Sequence, residues 1–239
     1  MSMRLFRILS ALSVIIGVIM LVVSFNINPG PPLNATGAQL AAFARQYYTS
    51  ILWGAWLQAV GPFLIVLFAF AVVFLSGAAT RLAGWMTFFG GVLLMVVSLT
   101  EIVFYFGALF AVYHNNLAMG LISLDLIHAT QHLYFIVAAP ALFVPLGIVI
   151  LYSHVALPRP DVLPRIFGYL AIALGVAFVI LGIVFLNNLV LPLAVQAFAG
   201  VQALWWLAAG IIMIIQTART PEFASEKIWV SAVLSSKSL

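Results

Sequence analysis

Six apolar runs, each long enough to cross a bilayer, dominate this sequence of 239 residues. A helical crossing needs about 20 mostly apolar residues. The runs fall at about 4–25, 51–76, 81–112, 121–152, 165–186 and 191–217. They are apolar on every face, whereas strands of a membrane barrel alternate apolar and polar residues. In lipid, each backbone N–H and C=O must find its partner within the segment, which selects helices. The expected fold is therefore all-α. It is a polytopic membrane helical bundle of six transmembrane helices, one integral domain over 1–239, with a short cytoplasmic tail at 218–239.

Composition supports this. Only 6% of the residues are charged and 66% are hydrophobic, where a soluble domain carries about a quarter charged residues. The natural partner is the lipid bilayer. No basic patch with interleaved aromatics occurs, so nucleic acid is excluded as a partner. There is no cysteine, which removes disulfides, thiolate metal sites and cysteine nucleophiles. Arg4 and Arg7 precede the first run as in a signal peptide. The stretch Ile8–Phe25 is longer than such a core and lacks a small-x-small cleavage site, so it reads as a retained span.

Lysine and arginine set the direction. With the N-terminus cytoplasmic, Arg4, Arg7, Arg81, Arg159, Arg165, Arg219, Lys227 and Lys237 lie inside and Arg45 alone lies outside. The positive-inside rule thus puts both termini in the cytoplasm, and the protein is expected in a plasma (inner) membrane. The outer segments are then 26–50, 113–120 and 187–192, with Tyr47, Tyr48, Trp53 and Trp56 as interfacial anchors. Asn34-Ala35-Thr36 fits a glycosylation sequon, and is read as a chance match of a short motif in a polar loop.

Three helices begin alike. Arg7-Ile8-Leu9-Ser10, Arg81-Leu82-Ala83-Gly84 and Arg165-Ile166-Phe167-Gly168 each lead to Gly-Val, at Gly17, Gly91 and Gly175. The return helices hold Gln58, Gln131 and Gln202 at similar places. Two readings stand: three parallel helical hairpin repeats, or features common to membrane helices. In either, the small residues suit close helix approach and the glutamines suit interhelical hydrogen bonds. Pro140 and Pro145 stand inside the fourth run, where proline kinks a helix or is tolerated as membrane helices often tolerate it.

One hairpin alone carries acids or histidines within its apolar runs. Glu101 is in the third run; Asp125, His128 and His132 are in the fourth. Separations of three, four and seven put Asp125, His128 and His132 on one helical stripe. Folding the hairpin at its short turn brings Glu101 level with 128–132, within reach of His128, Gln131 or His132. Imidazole and carboxylate together suit a transition metal, and an imidazole also suits haem. The candidate metal ligands are Glu101, Asp125, His128 and His132, with Tyr105, His114 and Gln131 beside them. The same set also serves as a structural polar network or a partner contact. Glu101 lies about 30 Å along its helix from Arg81, near the outer edge of the hydrocarbon. The inner half of the spans holds no acid or histidine, which argues against a proton pump or ion channel.

Metalloprotease, serine-hydrolase and Walker motifs are absent. Asp125-x-x-His128 echoes half of a di-iron motif without its second half. Three functions are therefore expected to compete. The first is a small membrane subunit binding a metal, cofactor or partner through the Glu/Asp/His cluster. The second is a structural subunit of a membrane complex, held among other membrane subunits. The third is a transporter of a neutral or apolar solute, with a central cavity. The sequence does not decide whether the chain is an enzyme.

Overall fold

In the computed structural model of the chain, residues 2–28, 36–156, 162–185 and 192–219 are described. The first helix, α1, runs Met3–Ile27, with the Ser2 hydroxyl accepting from the Leu5 N–H. Then come α2 (Gly37–Gln46), α3 (Tyr48–Leu75), α4 (Leu82–Tyr113), α5 (Leu117–Leu133), α6 (Ala139–Ala156), α7 (Arg165–Phe185) and α8 (Pro192–Arg219). A π turn at Tyr134–Ala138 joins α5 to α6, so they form one continuous rod. Six spans result, with mean hydropathies of 2.0 to 2.8. They match the six expected runs to within a few residues. Asn34 and Ala35 of the chance sequon match, the turn at Asn187 and Asn188, and the tail from 220 onward lie outside the described residues.

The 26–50 segment, expected as a loop, contains the amphipathic helix α2. Its start is a reciprocal capping box between Thr36 and Gln39, which satisfies two otherwise orphaned N–H groups. Leu40 and Ala44 pack with Ile51, Leu109 and Val112. Thus α2 lies across the far ends of α3 and α4.

Helix pairs approach closely through glycine. A Cβ on Gly17 would meet the Gly61 carbonyl of α3, and one on Gly61 would meet the Gly17 carbonyl. The same reciprocal contact joins Gly147 of α6 to Gly168 of α7. In lipid, without a hydrophobic force between helices, such small-residue contacts set the packing. All three Arg-anchored glycines are used: Gly17 and Gly91 meet α3, and Gly175 meets Phe143 and Val144 of α6. The first two hairpins fold back on themselves, whereas α8 lies mainly along α1. It reaches α7 through Phe178–Phe198 and Phe167–Trp205 ring contacts. The six spans therefore form a ring around Phe68, Phe143, Phe178 and Trp206, all fully buried. Leu9, Ile16, Phe63, Phe89, Val96, Ile180 and Ile183 point outward, where only lipid receives them without cost.

The prolines redirect carbonyls rather than break helices. Pro140 lacks an N–H and its ring crowds the Ile136 carbonyl. The chain widens into the π turn there, with the Ala139 N–H reaching the Tyr134 carbonyl five residues back. Gly182 of α7 leaves room for Ile136 at that bulge. Pro145 deprives the Ala141 carbonyl of its helical donor, and Gly90 of α4 packs against that same carbonyl.

Candidate functional site

The ionisable hairpin is built from α4 and α5, joined by a turn in which Asn115 takes a left-handed φ of 61°. The Asn116 side chain then caps α5, accepting from the Met119 N–H at 3.2 Å. Two helices joined so tightly must pack antiparallel. They meet through small groups: Gly107 faces Ser123, and Gly120 faces Val112. Gly120, Ser123, Ile127 and Thr130 are accordingly the buried face of α5.

This choice of face separates the residues expected to cluster. Glu101 is buried on α4, 9% exposed. Asp125 and His128 are exposed on α5 and His132 is half-buried. The three α5 residues do share a stripe, but that stripe is turned roughly opposite to the buried face, as the 100° step per residue requires. Among the described residues no three His, Asp or Glu side chains gather to hold a metal ion. Glu101 thus stands apart from the expected co-ligands Asp125, His128 and His132, because α5 turns Gly120, Ser123, Ile127 and Thr130 toward the bundle and the Asp–His stripe away from it. His114 is exposed at the α4 C-terminus, its ring 5.6 Å from that of Tyr113. Tyr105 is half-buried and lines an apolar hollow beneath α2, with Asn28, Leu40, Phe43 and Leu124.

What Glu101 meets instead is a pair of glutamines. The Gln58 side-chain amide of α3 donates to one carboxylate oxygen at 2.9 Å. The Gln131 amide of α5 donates to the other at 3.0 Å. One carboxylate thus ties three helices together. Gln131 was among the residues expected within reach; Gln58 was expected only as a generic interhelical donor. Its position is fixed twice. Pro62 cannot donate to the Gln58 carbonyl, and the Ser98 hydroxyl of α4 takes that role at 3.2 Å. Ser98 and Glu101, one turn apart, grip the backbone and the side chain of the same residue.

A second bond lies beside this layer. The Tyr134 hydroxyl donates to the Gln202 side-chain oxygen at 2.6 Å, linking the π turn to α8. Gln58, Gln131 and Gln202, singled out as return-helix glutamines, are thus all used in interhelical bonds. Tyr134 and its role were missed. The available signal was a tyrosine three residues after Gln131 and six before Pro140.

Depth places these groups. Glu101 lies about 29 Å along α4 from Leu82, close to the thickness of the hydrocarbon core. His128 and Asp125 lie about 39 and 44 Å along the rod from His154. They are therefore at or beyond the membrane edge if both rods start at the opposite surface. The protein so defined is an all-helical integral membrane bundle with six long apolar helices. The chain matches no protein-family model, no curated protein and no solved structure.

Proposed function

We propose that the chain is a membrane subunit that docks a protein partner through the far end of the α4–α5 hairpin. The sign of the charges supports putting that end outside: among the described residues, Arg4, Arg7, Arg81, Arg165 and Arg219 stand at the opposite end, and Arg45 alone stands at this one. One observation carries the reading. The protruding face of α5 exposes Asp125 and His128 together with Met119, Leu121, Ile122, Leu126 and Leu133, which are 39–52% exposed. Such a face is too apolar to suit water and too polar to suit lipid. Mixed faces of this kind mark contact sites.

Glu101 serves this function indirectly. Its bonds to Gln58 and Gln131 hold α5 in the rotation that turns the Asp–His stripe outward. A transporter is supported less well, since the ring centre is filled by packed phenylalanines and tryptophans. A photo-crosslinking side chain placed at Leu126, and separately at Val176 on the exposed face of α7, tests the proposal in native membranes. A discrete protein adduct from Leu126 and none from Val176 is expected. Lipid adducts alone from both positions would refute the docking surface.

A further inference from the structure

The partner of that surface is narrowed by spacing. Ala118, Leu121, Asp125, His128 and His132 follow one another at steps of three, four, three and four. The first four are exposed and His132 is half-buried. This is the spacing of a seam between two helices, and no described segment of the chain covers it. Ile122 and Leu126 flank it as exposed apolar residues.

The seam also carries a pair of histidines, His128 and His132. Two histidines four apart on one helix face can share one divalent transition metal. A tetrahedral ion needs four ligands, and among the described residues no third His, Asp or Glu completes the pair. A second copy of the chain would supply the other two.

Symmetry sharpens this. Two copies in one membrane share the same sidedness, so their two-fold axis lies along the membrane normal and their α5 helices meet parallel. That meeting sets Asp125 against Asp125 and imidazole against imidazole. Without a cation the polar part of the seam has no attraction, and the carboxylates repel. A divalent ion held by the four imidazoles would bridge the two copies and offset the nearby carboxylates.

We propose that a second copy of this chain docks along the α5 seam, and that His128 and His132 of the two copies jointly bind one divalent ion of the zinc class. The proposal rests on the docking surface above and names its occupant. Imidazole selects Zn2+ over Mg2+, which prefers oxygen ligands.

The test uses the full chain without a polyhistidine tag, in lipid nanodiscs and by native mass spectrometry. Zn2+ is expected to convert one chain per particle to two, with one zinc per pair. Chelator should reverse this and Mg2+ should not cause it. The His128→Ala/His132→Ala variant should remain single and metal-free with its melting temperature unchanged. Because the chain has no cysteine, Leu121→Cys offers an independent check: a short bis-maleimide should alkylate the thiols of two copies and link them rapidly with Zn2+ present and slowly with chelator. A wild-type chain that stays single in saturating Zn2+ overturns the proposal. So does pairing that persists in the double variant. A chain that stays single in zinc yet still gives a protein adduct at Leu126 in membranes overturns the second copy while the docking surface stands.

Discussion

Replacing Glu101 with leucine isolates what the buried carboxylate contributes. Leucine is close in size, so the main loss is the two bonds, at 2.9 Å from Gln58 and 3.0 Å from Gln131. Side-chain hydrogen bonds between membrane helices contribute on average about 0.6 and at most about 1.7 kcal/mol each. Losing two predicts a destabilisation of about 1–3 kcal/mol. Glu101→Gln behaves differently. Its amide keeps one acceptor oxygen, and turning over one neighbouring glutamine amide restores a second bond. Its cost is expected to stay under about 1 kcal/mol. Reversible unfolding of the purified protein in mixed micelles, followed by tryptophan fluorescence, measures both. A Glu101→Leu variant as stable as wild type would refute the idea that this carboxylate ties three helices. So would a Glu101→Gln variant that is just as damaging.

Three further outcomes follow from the same contacts. Ser98→Ala should cost about 1 kcal/mol in the wild type. In a Pro62→Ala background it should cost far less, because residue 62 then donates to the Gln58 carbonyl itself; a double-mutant cycle in the same unfolding assay measures the difference. Gly17→Val forces a side chain against the Gly61 carbonyl and should cost about 1–3 kcal/mol or more. Gly200→Ala, with nothing within 4 Å of the added carbon, should be neutral or stabilising by up to about 1 kcal/mol; thermal unfolding of the two variants compares them. His128→Ala/His132→Ala should change folding stability in chelator by no more than about 0.5 kcal/mol, whereas an effect of several times that would place the histidines inside the fold.

The spans were legible because lipid leaves the backbone one solution, and a run of about 20 apolar residues states it directly. The turn that pairs α4 with α5 was legible too, and with it the level at which Glu101 meets Gln131. The rotation of α5 was not. Helix α5 carries polar groups on two sides, the Asp125–His128–His132 stripe and Ser123, Thr130 and Gln131, so polarity alone does not say which side is inward. The signal that decides it is residue size: Gly120, Ser123 and Thr130 let α5 approach α4, a spacing less conspicuous in the sequence than the histidines. Helix α2 was readable from Thr36 and Gln39 at capping-box spacing. The grip of Ser98 on the Gln58 carbonyl was half readable, because Pro62 four residues on announces a carbonyl in need of a donor. Its partner was not, since only the packed fold brings residue 98 to residue 58. The packing of α8 along α1 is likewise a tertiary choice that the hairpin repeat does not encode.

The docking face exists only if α5 turns Thr130 inward and His128 outward. Single cysteines at these positions in the cysteine-free chain report this directly. With chelator present, a membrane-impermeant maleimide applied from outside should modify His128→Cys rapidly and leave Thr130→Cys untouched until the protein is denatured. Fast modification at 130 together with protection at 128 would contradict the account.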